Sequence, residues 1–158
     1  MTQAVFSELV GALNELYRLS GSARVHADTV RRTRVAVTQT GLRFLSLIDD
    51  SPRICASDLA AELDVSQPTA SRVLQQLEAE GYVVRHQSDV DGRVSHYVTT
   101  PRGRRALAKV HRYHVDRLAF ALGDADPAYQ QAIARAVTEL VERLTQAAQA
   151  QGKNERSA

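Results

Sequence analysis

The sequence predicts a mainly α-helical protein with one small β-hairpin, and three observations lead to this fold class. Apolar residues recur at helical spacing along most of the chain. Two short β-prone segments, 82–86 and 94–100, flank the turn-forming pair Asp91-Gly92. The length of 158 residues suits one domain, or one core with an appended interface.

The composition is that of an ordinary globular protein, with 44% apolar and 24% charged residues. No apolar run approaches the roughly 18 residues that a membrane span needs. The N-terminal stretch MTQAVFSELVGALNEL has no basic leader of the kind that precedes secretion. A single cysteine, Cys55, excludes an intramolecular disulfide and a cysteine-based zinc framework. These features predict a cytoplasmic location and no membrane partner.

The first third of the chain predicts two helices. The apolar stripe of the first helix consists of Phe6, Leu9, Leu13 and Leu16. The segment SGS at 20–22 bends or ends this helix, and RRTR at 31–34 is interpreted as a short basic connector. Thr38 is expected to cap the second helix. That helix carries Leu42, Leu45 and Ile48.

Residues 57–81 predict a helix-turn-helix. A short helix follows Ser57, and Asp64 suits the tight turn because it tolerates a left-handed backbone. Ser66 is a good N-cap and Pro68 falls in the first turn of the next helix, which ends at Gly81. The buried face of this helix is predicted to consist of Ala70, Val73, Leu74 and Leu77.

The opposite face of the helix at 66–80 is short, polar and rich in hydrogen-bond donors. An α-helix fits the major groove of DNA, where Arg can grip guanine and Gln can grip adenine. The helix N-terminus also favours a phosphate. The candidate DNA-binding residues on this helix are Ser66, Gln67, Thr69, Ser71, Arg72 and Gln75. The alternative is an ordinary solvated helix face.

The hairpin directly after this helix is interpreted as a wing, with its tip at 87–94. Arg93 at the tip can enter a minor groove or hold a phosphate. Asp89 or Asp91 can pair with Arg93 and orient it, although a surface ion pair of this kind is worth only about 0–1 kcal/mol. The sequence thus predicts a winged helix-turn-helix.

Positive charge concentrates around these elements. Residues 66–117 contain nine Arg or Lys and five Asp or Glu, which leaves +4, whereas the rest of the chain sums to −2. This asymmetry is typical of a face that binds anions such as DNA phosphates, although solvated charges alone would give the same count.

The C-terminal part predicts two long helices. Thr100 caps the first and Pro101 starts it, and the segment GDADP at 123–127 separates it from the second. We expect 36–100 to be a DNA-binding domain, 1–35 and 101–150 a helical dimerisation region, and 151–158 a flexible tail.

These segments resemble the MarR (multiple antibiotic resistance regulator) family of bacterial transcription regulators. The matching stretches are LAAELDVSQPTASRVLQQLEAEGYVVR at 59–85 and DVDGRVSHYVTTPRG at 89–103, together with a T..G...L..I pattern from Thr38. Asp89, Arg93, Thr99 or Thr100, and Gly103 match the family's wing pattern. The hydrophobic position before the threonine, Val98 or Thr99, departs slightly from that pattern.

The resemblance implies a homodimer that clasps through its terminal helices and binds a pseudo-palindromic operator in double-stranded DNA, most often as a repressor. The apolar stripes of those helices agree, since the middle module alone could not bury them; packing within one chain is the alternative. Family members often bind a small aromatic ligand between the dimer helices and the winged lobe. By analogy, candidate ligand residues are Tyr17, His26, Arg43 and Tyr113.

Other functions have weaker support in the sequence. His111 and His114 could share a helix face and bind zinc, but solvated or interface histidines are the better interpretation. Cys55 is expected to be a small buried residue. No nucleophile elbow, phosphate loop or metal motif occurs, so neither an enzyme nor a metal or other cofactor is expected. The alternative function is a dimeric winged-helix module that binds proteins rather than specific DNA.

Overall fold

The computed structural model describes residues 2–51, 53–87 and 95–155 and confirms the predicted fold class. These residues form seven α-helices and one small antiparallel sheet. In chain order the elements are α1 (Thr2–Ser20), α2 (Ala23–Thr33), α3 (Gln39–Asp50), β1 (Ile54–Cys55), α4 (Ala56–Glu62), α5 (Gln67–Ala79), β2 (Val83–Gln87), β3 (Ser95–Thr99), α6 (Pro101–Leu122) and α7 (Pro127–Glu155). The chain divides into two compact units, Met1–His114 and Val115–Ala158.

Helix α2 corrects the interpretation of 31–34 as a connector, since residues 31–33 belong to this helix. Ser22 caps it by accepting a hydrogen bond from the Val25 amide at 3.3 Å. Arg34 ends it in the left-handed region, with φ of 56°. The buried residues of α2 are threonines, Thr29 and Thr33, so no stripe of large apolar side chains marks this helix in the sequence.

The core of the first unit lies between α3, α4, α5 and the sheet. Thr38 caps α3 as predicted, because its Oγ1 accepts a hydrogen bond from the Gly41 amide at 3.0 Å. The apolar stripes of these helices meet in one cluster. Its most deeply buried side chains are Phe44, Leu45, Ile48, Leu59, Leu74 and Leu77. Burial of large apolar side chains of this kind contributes about 1.5–3 kcal/mol each to the stability of the unit.

Helix α4 begins slightly earlier than predicted. It starts at Ala56, before Ser57, with Cys55 as the cap residue. Cys55 also belongs to β1, the short strand that pairs with β3, and its side chain is half-buried rather than buried. A difference of one residue lies within the usual variation of helix ends.

The sheet has the strand order β1-β3-β2, and both pairings are antiparallel. The register of β2 and β3 runs from Val83 opposite Thr99 to Gln87 opposite Ser95. Because side chains alternate along a strand, Val83, Tyr97 and Thr99 face the core. The positions that alternate with these lie on the outer face of the sheet. They are Cys55, Val84, His86, His96 and Val98.

Helix α6 begins at Pro101, and Thr100 is its cap, as predicted. The Gly103 amide donates to Thr100 Oγ1 at 3.1 Å. Gly103 is required where α6 approaches the sheet, because a Cβ atom there would lie 2.7 Å from Thr99 Cγ2 and against the Tyr82 carbonyl.

The second unit contains the end of α6, helix α7, and between them a break at 123–126, which was predicted at 123–127. The Gln130 amide group bridges this break by donating to the Leu122 and Ala125 carbonyls at 2.8 and 3.1 Å. Helix α7 continues to Glu155, past the start of the tail predicted at 151–158, and the flexibility of that tail stays a prediction. None of the described helices combines the length and apolar character that crossing a membrane requires.

Candidate nucleic-acid interface

Helices α4 and α5 form the predicted helix-turn-helix. Asp64 adopts the expected left-handed conformation, with φ of 51°, and the Val65 amide closes the turn on the Ala60 carbonyl at 3.0 Å. Helix α5 lies on α3 and α4 through the apolar side chains Ala70, Leu74 and Leu77. Its opposite face therefore points away from the core.

That outward face contains the predicted DNA-binding residues. Thr69 is half-buried, whereas the other candidates are exposed, namely Ser66, Gln67, Ser71, Arg72 and Gln75. The structure thus brings all six together at the N-terminal end and outer side of one helix. Their role in binding DNA stays a prediction.

Ser66 differs from the prediction in one detail. It occupies the cap position with an extended backbone, but its side chain makes no capping hydrogen bond. Its hydroxyl instead lies 2.9 Å from the Thr69 hydroxyl. The amides of the first turn of α5 are therefore not bonded by their own cap side chain, and a phosphate oxygen could accept from them.

Charge along α5 is polarised. Residues 66–77 contain one charged side chain, Arg72, and no acid, whereas Glu78 and Glu80 stand at the C-terminal end. Arg72 is exposed, and its guanidinium makes no hydrogen bond or ion pair with any residue of the described part of the chain. Gln76, by contrast, donates to Glu80 at 3.0 Å. The N-terminal half of α5 is the end suited to an anionic partner.

The stem of the predicted wing is the antiparallel pair β2 and β3. The tip, with Asp89, Asp91 and Arg93, lies outside the described residues. The contact of Arg93 with DNA and its orientation by either aspartate stay predictions.

Two arginines of α6 attach this helix to the hairpin. The Arg102 guanidinium lies 5.0 Å from the centre of the Tyr82 ring, a cation–π contact. Arg104 donates to the Thr99 carbonyl at 3.0 Å, and its guanidinium lies 3.9 Å from Asp49. Sequence reasoning missed these contacts, because the partners are distant in the chain and no local pattern joins them.

The four candidate ligand residues lie on four different helices. Tyr17 on α1 is 81% exposed, Arg43 on α3 is exposed, and His26 on α2 is half-buried. Tyr113 on α6 donates a hydrogen bond to Asp28 on α2. This bond and the ion pair with Arg31 hold the pKa of Asp28 below its ordinary value. A ligand at these residues stays a prediction.

The histidines considered for zinc, His111 and His114, both lie on α6. Within the described ranges no group of three or more potential ligands could hold a metal ion. Cys55 Sγ lies 2.9 Å from Ser57 Oγ.

A helix-turn-helix followed directly by an antiparallel hairpin defines the class of the protein, a winged helix-turn-helix. The model of the MarR family matches residues 37–95, which covers this module up to the start of β3. Over these residues the chain is similar to the MarR family, whose members are DNA-binding transcription regulators rather than enzymes.

A Thauera aromatica protein that is named as a transcriptional regulatory protein for the hcr operon is 34% identical over 89 residues. The match covers 56% of this chain and 53% of the relative. The chain thus spans about half the length of the curated relatives it matches.

Solved structures show the same fold. The crystal structure of MarR has a TM-score of 0.70 at 20% identity and covers 87% of this chain and 98% of that one. Streptococcus pneumoniae FabT, crystallised in complex with DNA, has a TM-score of 0.59 at 21% identity. The match covers 92% of this chain and 99% of that one.

Proposed function

We propose that this chain is a sequence-specific DNA-binding transcription regulator that inserts α5 into the major groove. The observation that carries the proposal is the outward face of α5, which is polar, exposed, and free of acids from residue 66 to residue 77. A helix that binds no DNA would have no need for an exposed arginine without a partner among the described residues, such as Arg72, at the centre of this face. A regulator of this kind acts in the cytoplasm, where it meets DNA.

Each candidate residue has a role that follows from its place on α5. Arg72, whose guanidinium has no partner among the described residues, suits a bidentate contact with guanine. Gln67 and Gln75 suit adenine or phosphate, and Ser66, Ser71 and the first-turn amides suit phosphate oxygens. Arg93, oriented by Asp89 or Asp91, serves the adjacent minor groove as the wing contact.

We propose further that the regulator is a homodimer on a pseudo-palindromic operator. On α1, Phe6 is 58% exposed, and in the second unit Val137 and Leu144 are 52% and 55% exposed. Exposed apolar stripes of this kind are typical of surfaces that a second copy of the chain covers. Repression, and release by a small aromatic ligand at Tyr17, His26, Arg43 and Tyr113, complete the proposal.

The DNA contact is tested with duplexes selected by the wild-type protein from a randomised pool. Fluorescence anisotropy at fixed salt then compares Arg72→Ala with wild type. We expect a loss of about 1–3 kcal/mol in binding free energy and relaxed preference at one base pair of each half-site. The matched control is Gln76→Ala, on the same helix but bound to Glu80, which should bind as wild type does.

Equal binding by Arg72→Ala and wild type would remove α5 as the reading element. Failure of the pool to yield any preferred duplex would favour the alternative function, a dimeric module that binds protein. The dimer is tested separately by light scattering of Leu144→Glu, which should shift the mass towards that of one chain. An unchanged mass would place the interface elsewhere.

A further inference from the structure

Two histidines face each other across the stem of the wing. His86 on β2 lies directly opposite His96 on β3, and their rings stack with centres 5.6 Å apart and planes inclined by 19°. Opposed residues on neighbouring antiparallel strands share one face of a sheet. This face is the outer one, because the core side of the same strands carries Val83, Tyr97 and Thr99.

The ring nitrogens of this pair are available for a ligand. Neither imidazole, of His86 or of His96, makes a hydrogen bond with any residue that the structure describes. His86 is exposed and His96 is half-buried, so solvent reaches the pair. The cross-strand pair thus offers two imidazole nitrogen ligands held on paired strands.

We propose that His86 and His96 bind one divalent transition-metal ion of the nickel, copper and zinc group. Imidazole nitrogen suits these ions, whereas Mg²⁺ and Ca²⁺ prefer oxygen ligands. Two imidazoles that hold one tetrahedral ion through nitrogens at about 2.1 Å place their ring centres roughly 5 Å apart. The observed separation of 5.6 Å is close to this value, and rotation about the broad χ2 torsions turns a nitrogen of each ring towards the ion.

The two histidines supply the protein ligands, and water completes the coordination. Cys55 lies opposite His96 on the other neighbouring strand, but its sulfur is directed to Ser57 Oγ at 2.9 Å. No set of three potential ligands is within reach of one ion among the residues described. Arg85, the cation next to His86, projects from the opposite face of β2 and leaves the pair accessible to a cation.

An ion at this position joins β2 to β3 one residue before β2 ends and one residue after β3 begins. The last pair of the described ladder is Gln87 opposite Ser95, immediately outside His86 and His96. The bound ion therefore ties the two strands together at the base of the wing and raises the stability of the hairpin by linkage.

The test is calorimetric titration of the tag-free, chelator-treated protein with Ni²⁺, an ion that does not oxidise Cys55. We expect one site per chain and a loss of affinity of at least about tenfold in both His86→Gln and His96→Gln, since changes even beyond the ligands weaken metal sites by about 10–100-fold. Circular dichroism confirms that each variant is folded.

Two matched variants separate this site from the other candidates. His111→Gln combined with His114→Gln removes the helical histidine pair, and Cys55→Ser removes the thiol; both should bind Ni²⁺ as wild type does. Retention of full affinity in His86→Gln or His96→Gln overturns the proposal, as does a loss confined to either matched variant. DNA binding is not part of this measurement, so its result is independent of the proposed regulatory function.

Discussion

Thr100 joins the end of α5 to the start of α6 through Gly81. Its hydroxyl donates to the Gly81 carbonyl at 2.7 Å, and the same oxygen accepts from the Gly103 amide at 3.1 Å. Gly81 has a left-handed φ of 73° and directs the chain from α5 into β2. One side chain thus holds the helix that presents Arg72, the hairpin and α6 in a fixed arrangement.

Loss of the Thr100 hydroxyl should destabilise the fold. Thr100→Val removes the cap of α6 and the donor to Gly81, so we expect a decrease of about 1–2 kcal/mol in the free energy of unfolding. Thr100→Ser keeps the oxygen and should lose much less. Urea denaturation followed by circular dichroism measures both. Equal stability of the valine and serine variants would contradict the role of the hydroxyl.

The close approach at Gly103 gives a second stability prediction. The Cβ of Gly103→Ala would lie 2.7 Å from Thr99 Cγ2 and also contact the Tyr82 backbone, so we expect a loss of about 1–3 kcal/mol from overpacking. Gly11→Ala in α1 meets nothing within 4 Å and should be neutral or gain up to about 1 kcal/mol from helix propensity. A thermal melt of the two variants compares them. Tolerance of alanine at residue 103 would show that α6 can move away from the sheet.

The contact between Tyr113 and Asp28 predicts a change in titration. The hydrogen bond from Tyr113, followed by the ion pair with Arg31, lowers the pKa of Asp28 from its ordinary 3.8. A lowered pKa in the folded state contributes stability that is present above about pH 4 and is lost as the pH falls through the folded value. Tyr113→Phe should therefore raise the pKa of Asp28 towards 3.8.

Carboxyl NMR titration of Asp28 measures this shift. Tyr17→Phe, which alters an exposed tyrosine on α1, is the control and should leave the titration of Asp28 as it is. An Asp28 titration that is the same in Tyr113→Phe and wild type would show that the hydrogen bond does not persist in solution.

The proposed wing contact predicts a specific salt dependence. If Arg93 neutralises one phosphate, Arg93→Ala should reduce the slope of log K against log salt by about 1 and weaken binding evenly across DNA sequences. Arg143→Ala on α7 is the control, since that residue pairs with Glu139 at 2.7 Å. A change in base preference instead of slope would assign Arg93 to base recognition.

Much of the candidate site could be predicted from the sequence. The helix-turn-helix follows from local rules: Asp64 tolerates a left-handed turn, Pro68 fits a first turn, and Gly81 ends a helix. The hairpin register could not be predicted in the same way, because a two-residue loop at Asp91-Gly92 would pair His86 with Tyr97, whereas the structure pairs His86 with His96.

The remainder depended on contacts between distant residues. Helix α2 was missed because its buried residues are Thr29 and Thr33, and Cys55 was placed in a strand by pairing with β3. The stacking of Arg102 on Tyr82 has no local signature.

The sequence by itself determined the helices with apolar stripes, the turn residues and the polar outer face of α5, because spacing and capping act within a few residues of the chain. Only the tertiary structure decided which polar residues are engaged and which are free. Arg72 is exposed and unpaired among the described residues, whereas Arg104 is held by the Thr99 carbonyl. The physical reason is that hydrogen bonding and burial depend on distances between elements, which the linear pattern does not contain.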